Sequence, residues 1–463
     1  MRHELKHTGL GKIDDDYNEY PVSIYSNKDL TSFLVFIEYR HDSPQIGSNL
    51  LLPFEIDYLE VTLANGGVFS LFGLNRYSHT SEISYQREVF KYTVDYIVSG
   101  LKSSDERFFK QANYSVSGIM KWGNISNWNT RMGTSCYLSR NYDNEITIFD
   151  GESYQIKYRV NTNIPFDFLE EEVAFRQYPT IIVTSKNSFQ SITWFEEKFK
   201  SFKQIIEIAL QNQINYQKFS LLQEPEENYD PIKNTLFKVE SSFSKKNDLD
   251  QLHPFSFLFN CEKLMQSADL FEWGNKANKL KPVIDLYIRA YYSENDSMQN
   301  HFLNICQALE TYHSRMISDE KSEYIKIIQD RLKDSPSNWF DFFVKEEKRK
   351  QILLSERIAH LVFIDNNQYL SPFMMTGLFN LKDFPKIISD TRNYYTHYNE
   401  KRKNAALLGE ELGYAIRILR SILEFHLLRE LGFKDREDYK GINEKFKQIN
   451  NDMNYSKHIR GKD

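Results

Sequence analysis

The sequence is poor in cysteine, and its three, Cys136, Cys261 and Cys306, lie far apart. No Cys-x-x-Cys occurs, which argues against a structural zinc site and for packed thiols in a reducing cytoplasm. A run of about eighteen apolar residues is also lacking, so no membrane span and no membrane partner are expected. Met1-Arg2-His3-Glu4-Leu5-Lys6 lacks the apolar core of a signal peptide. His-Glu-x-x-His, P-loop, Gly-x-Gly-x-x-Gly and Gly-x-Ser-x-Gly motifs are all missing. Zinc-protease, nucleotide-binding and serine-hydrolase chemistry therefore have no support, and no metal or cofactor is expected. The acidic clusters Asp14-Asp15-Asp16 and Glu170-Glu171-Glu172 read as solvated loops. There is no internal repeat and no low-complexity tract.

What remains is a chain of 463 residues, too long for one ordinary core. Aromatic residues make up 15% of it, which suits β-structure in at least part. The net charge of −6 is uneven. Residues 1–254 carry 26 Lys and Arg against 34 Asp and Glu, and residues 255–463 carry 32 against 30. The C-terminal half is the better home for a polyanion.

Residues 1–190 read as an antiparallel β-sandwich or jelly-roll-like domain. Phe33 to Tyr39 is a buried-strand run. Asn65-Gly66-Gly67 and Asp150-Gly151 are hairpin turns between strand-like segments. Val89 to Val98 alternates: Phe90, Tyr92, Val94 and Tyr96 are interleaved with Val89, Lys91, Thr93 and Asp95. Residues 191–260 read as a helix, Trp194 to Leu210, followed by short strands at Phe219 to Leu222, Leu236 to Val239 and Phe255 to Phe259 that complete or link this domain. Gln223 to Asn234 is a loop.

From Cys261 to residue 463 the chain reads as an all-α domain. Leu280 to Tyr292 is one helix. Asp296 is a candidate cap for Ser297 to Arg315, whose buried face is Phe302, Ile305, Cys306, Leu309 and Tyr312. Ser371-Pro372 is a break. Ala405 to Leu431 is the longest helix, stopped by Gly432. The last thirty residues are highly charged and read as peripheral.

Between these apolar patterns lies a polar and aromatic stretch, Ser389 to Asn399, followed by Lys401-Arg402-Lys403. It holds Arg392, Asn393 and His397. Arg–His pairs of similar spacing also occur at Arg2–His7 and Arg420–His426, so spacing alone decides nothing. Arg2–His7 lies at a terminus, and His426 falls with the apolar set of a long helix as a packed core histidine. In a helix, Asn393 and His397 are one turn apart on one face, whereas Arg392 and His397 are about 140° apart. Either the arginine sits at a bent first turn or a second chain completes the site.

Arg-Asn-x-x-x-His near the end of an all-α domain resembles the signature of the HEPN superfamily. Gln307-Ala308-Leu309-Glu310-Thr311-Tyr312-His313 resembles the Ala-Leu-Glu stretch of its ApeA-like members, which pair a β-rich N-terminal domain with a C-terminal HEPN helical bundle. The resemblance implies a metal-independent endoribonuclease acting in abortive antiphage defence. It also implies a homodimer formed through the HEPN domain and an RNA substrate such as tRNA, with the N-terminal domain sensing a trigger, such as a phage-derived one, or holding the nuclease in check.

On that reading the catalytic candidates are Arg392, His397, Asn393 and Glu310. An imidazole can move protons, and a guanidinium offers a planar fork to phosphate oxygens. Asn393 orients the imidazole or binds phosphate. Glu310 holds Arg392 by a bidentate pair or forms a plain structural salt bridge. Tyr394 and Tyr398 are candidates for stacking on bases, with packing as the other role. Lys401, Arg402 and Lys403 steer an RNA backbone or form a solvated face. The competing function is a non-catalytic ligand-binding β-sandwich on a helical dimerisation domain.

Overall fold

The computed structural model describes residues 4–13, 18–27, 32–40, 52–82, 87–101, 107–116, 118–132, 136–140, 145–163, 176–224, 236–241, 257–292, 297–333, 340–345, 349–364, 382–398 and 400–460. The chain groups into two compact units. Met1–Lys200 and Ile214–Leu252 form one; Ser201–Gln213 and His253–Asp463 form the other.

The first unit begins with six antiparallel strands: β1 (Glu4–Ile13), β2 (Glu19–Ser26), β3 (Phe33–Arg40), β4 (Glu55–Leu63), β5 (Val68–Glu82) and β6 (Arg87–Ser99). Their order is β6-β3-β2-β1-β4-β5, and β5 pairs back onto β6. The β-rich layout expected from sequence is present, and its finer form here is a closed barrel. Inward positions alternate as the pleat demands: Tyr20, Val22 and Ile24 on β2, and Phe90, Tyr92 and Val94 on β6. A six-stranded barrel is narrow, and these side chains fill it. The Asn65-Gly66-Gly67 turn joins β4 to β5, with Gly66 at φ 81° and the Asn65 side chain accepting from the Gly67 N–H at 3.0 Å.

The far end of β6 continues the sheet. In chain order come β7 (Gln111–Val116), the short helix α1 (Met120–Gly123), the separate hairpin β8 (Trp128–Met132) and β9 (Cys136–Arg140), then β10 (Glu145–Asp150), β11 (Tyr154–Asn163) and β12 (Arg176–Ser185). The helix α2 (Ile192–Leu210) follows, then β13 (Tyr216–Leu222) and β14 (Leu236–Ser241). The sheet runs β6-β14-β13-β7-β12-β11-β10. Tyr114 of β7 stacks on Phe199 of α2 at 4.0 Å and on Phe219 of β13 at 4.5 Å. The second half of α2, from Ser201, groups with the helical unit, where the Ser201 carbonyl accepts from the Trp273 indole.

The helical unit contains α3 (Cys261–Ser267), α4 (Leu270–Tyr292), α5 (Met298–Met316), α6 (Lys321–Arg331), α7 (Phe340–Phe343), α8 (Leu354–Ala359), α9 (Phe384–His397), α10 (Gly409–Glu430) and α11 (Lys440–Arg460). After α8 a π-type turn spans His360–Ile364. Ser297 caps α5, its side chain accepting from the Asn300 N–H; Asp296, the expected cap, lies outside the described residues, as do Pro372, most of the 223–234 loop and both acidic clusters. The α5 face of Phe302, Ile305, Cys306, Leu309 and Tyr312 is buried as its spacing predicts. Gly432 stops α10 at φ 97°, and His426 is fully buried with Nε2 on the Leu361 carbonyl at 3.0 Å. Cys261 and Cys306 are buried and unbonded; the Cys136 side chain lies outside the described set.

Four sequence expectations change. The helix expected over Ala405 to Leu431 begins only at Gly409, after the Glu400–Ala405 3-10 turn, and with 22 residues it is shorter than the 23-residue α4. The helix expected from Leu280 begins at Leu270. Phe257 to Phe259 is irregular chain rather than a strand; Phe255 and Ser256 lie outside the described residues. The C-terminal tail is not peripheral: Ile442, Phe446, Ile449 and Met453 form a buried stripe on α11. Lys445 of that helix binds buried Glu424 at 2.6 Å, and Glu424 also accepts from the Tyr287 hydroxyl. The high charge of this segment hid a helical stripe of four apolar residues.

Candidate active site

Helix α9 carries the motif. Pro385 stands at its start, where a missing N–H costs nothing. Ile388, Thr391, Tyr394 and Tyr395 turn inward, and Arg392, Asn393 and His397 are left partly or fully accessible. The helix ends at His397 because Tyr398 adopts the left-handed conformation, φ 47°, with its N–H returning to the Tyr394 carbonyl at 2.6 Å.

Arg392 is the ninth residue of this helix and His397 the last. The bent first turn that would let them converge is therefore not where the arginine sits. Within the regular helix the two remain about 140° apart around the axis and about 7.5 Å apart along it.

Glu310 of α5 faces Arg392 across the helix pair, Oε2 to Nη2 at 3.7 Å, with about a third of each side chain exposed. This is a loose single ion pair rather than a bidentate fork, which requires two parallel bonds near 2.8 Å. Arg392 Nη1 also lies 3.5 Å from Asn393 Oδ1, at the limit of a hydrogen bond. In this arrangement Asn393 leans on the guanidinium rather than the imidazole.

The tyrosines separate by burial. Tyr394 is 8% exposed, its ring packed on Tyr395 at 5.1 Å and Tyr398 at 5.8 Å, so it has no free face for a base. Tyr398 is 65% exposed beside His397. Glu400–Ala405 forms a 3-10 turn that holds Lys401, Arg402 and Lys403. Lys403 is exposed, and the side chains of Lys401 and Arg402 lie outside the described set.

Two features escaped the sequence. One is a grip on the segment after the motif: the Leu407 N–H donates to Thr391 Oγ1 at 3.1 Å, and its carbonyl accepts from the Tyr395 hydroxyl at 2.9 Å. A threonine at an inward position of α9 was the available signal. The other lies behind Glu310 on α5. His313 Nε2 is 3.0 Å from His360 Nδ1, and Arg357 Nη1 is 3.3 Å from His313 Nδ1. A guanidinium only donates, so His313 Nδ1 accepts and Nε2 carries the proton shared toward His360. Burial pushes the His313 pKa well below the usual imidazole range, and neighbouring His360 and Arg357 push the same way. Arg357 also binds Asp319 at 2.9 Å. Among the described residues no group of three or more His, Cys, Asp or Glu could hold a metal ion. Burial raises the Cys306 thiol, one turn from Glu310, far above its ordinary range, which leaves it inert.

A helical unit with Arg-Asn-x-x-x-His on one helix and an acid facing the arginine from another has the make-up of a HEPN domain. The Apea-like HEPN family model matches residues 303–437, which include Glu310, Arg392, Asn393 and His397. The model of ApeA N-terminal domain 1 matches residues 6–271, more than half of the chain. The chain belongs to the ApeA-like HEPN proteins. HEPN domains are in general nuclease domains, and the two domains together fit an antiphage-defence nuclease. No curated protein and no solved structure gives a significant match. Among the described residues no helix is long and apolar enough to cross a membrane.

Proposed function

We propose that this protein is a metal-independent endoribonuclease whose site is completed by a second copy of the chain. The observation that carries this reading is the exposure of Arg392, Asn393 and His397 at one helix end, with Glu310 opposite the arginine. A ribose 2′-hydroxyl attacks the adjacent phosphate, and the 5′-oxygen leaves. His397 takes the 2′-proton as base and then, as imidazolium, protonates the leaving oxygen, giving a 2′,3′-cyclic phosphate and a 5′-hydroxyl. Arg392 meets the charge that builds on the non-bridging oxygens. Because Arg392 and His397 diverge on one helix, a twofold pair of motifs supplies what a single helix cannot bring together. Tyr398 stacks on an unpaired base, and Lys401, Arg402 and Lys403 meet the RNA backbone. The N-terminal unit senses a phage-derived trigger or restrains the nuclease.

The test is incubation of cellular RNA with wild type, Arg392→Ala and His397→Ala in EDTA. Cleavage by wild type alone is expected. Equal cleavage by all three, or loss of cleavage with chelator, would sink the reading. Absence of cleavage both in vitro and during phage infection, with ligand binding intact, would favour a ligand-binding module on a helical dimerisation domain.

A further inference from the structure

After Tyr398 the chain makes the 3-10 turn Glu400–Ala405 and comes back along α9 to Leu407. There a single residue is gripped at both of its main-chain polar groups, by the Thr391 hydroxyl and the Tyr395 hydroxyl. Thr391 and Tyr395 are one turn apart on the inward face of α9. Thr391 is 0% exposed, Tyr395 5% and Leu407 7%. A mid-helix threonine ordinarily bonds back to the carbonyl four residues earlier or faces water. This one is spent on a residue sixteen positions later. The Tyr395 ring packs against Phe302 of α5, so its hydroxyl is aimed by a rigid neighbour. Burial raises the phenol pKa, which keeps it a donor. The grip and the motif interleave on one helix: Thr391 directly precedes Arg392, and Tyr395 stands two before His397.

We propose that Thr391 and Tyr395 are positioning residues for RNA cleavage. By holding Leu407 they set where the Glu400–Ala405 turn, which carries the basic triplet, stands beside the helix end that presents His397. The inference rests on the ribonuclease reading above. Neither hydroxyl touches substrate; both act through the segment they close.

The full-length wild type is compared with Tyr395→Phe, Thr391→Val and Thr391→Ser on a fluorescent single-stranded RNA in EDTA, over a series of salt concentrations. A buried hydrogen bond converts to roughly a five- to tenfold rise in KM for Tyr395→Phe and for Thr391→Val, with kcat within about twofold. The dependence of log KM on log salt becomes shallower by roughly one, since each phosphate contact on a single strand contributes about 0.7. Thr391→Ser, which keeps the hydroxyl, restores both values. Faster amide exchange over 398–406, with α9 and α10 still protected, is the accompanying readout, and Tyr395→Phe alone carries the test if Thr391→Val does not fold. A lower Tm with unchanged KM and salt slope overturns the inference, as does a loss confined to kcat. Cleavage that needs His397 yet ignores both hydroxyls refutes this inference alone. Wild type that does not cleave, or cleaves no better than His397→Ala, refutes the ribonuclease reading and this inference with it.

Discussion

Arg392 and Glu310 stand 3.7 Å apart with about a third of each side chain still in water. A pair so placed is screened and stabilises the fold by at most about 1 kcal/mol. On the proposed ribonuclease reading its value lies in where it holds the guanidinium, because small misplacements of a catalytic group cost far more in rate than in stability. Glu310→Gln is expected to shift Tm by about two degrees or less while lowering RNA cleavage roughly tenfold. Thermal unfolding and turnover on the same sample check this. His313 supplies a pH prediction. It is held neutral in the folded state, its pKa well below 6.5. Below about pH 6.5 the unfolded chain binds a proton that the folded chain refuses, so stability is full above that pH and falls as pH drops beneath it. Chemical denaturation between pH 7.5 and 5 should show this loss, and His313→Gln should be less stable at pH 7.5 with a shallower fall. Arg392 and His397 stood out in the sequence because a polar stretch interrupts apolar helical patterns there, and Glu310 stood out only through the resemblance of Gln307 to His313 to a family stretch; the structure adds that Glu310 and Arg392 face each other. The His313–His360–Arg357 cluster was not, since His360 and Arg357 come from more than forty residues away along the chain.

At the scale of elements, α9 ends on an unusual residue. Tyr398 takes a left-handed conformation that costs a side chain with a Cβ roughly 1–2 kcal/mol relative to glycine. Asparagine tolerates it better. Tyr398→Asn is therefore expected to hold or raise Tm, yet to weaken binding of single-stranded RNA about tenfold through loss of a stacking ring. Fluorescence anisotropy beside a melting curve separates the two effects. The strands were legible through alternation and through the Asn65-Gly66-Gly67 and Asp150-Gly151 turns, both of which join paired strands. Barrel closure was not. It depends on β6 meeting both β3 and β5, and local alternation carries no record of which distant strand pairs with which. Tyr394 shows the same limit: from sequence, packing is favoured over stacking on a base, and the structure packs its ring on Tyr395.

For the whole molecule, the divergence of Arg392 and His397 on a regular helix has a direct consequence. If each cleft draws groups from two chains, Arg392→Ala and His397→Ala preparations, each inactive alone, should regain measurable cleavage when co-expressed or mixed under exchange conditions. Mixtures that stay inactive, with mixed dimers demonstrated by mass spectrometry, would place the whole site within one chain. The central claim is one of chemistry, and the chemical identity of the new RNA ends tests it most directly. RNA cleaved by wild-type protein in EDTA should carry 2′,3′-cyclic phosphate and 5′-hydroxyl ends that are absent with His397→Ala. Ends bearing 5′-phosphate and 3′-hydroxyl, or cyclic phosphates made equally well without His397, would contradict it.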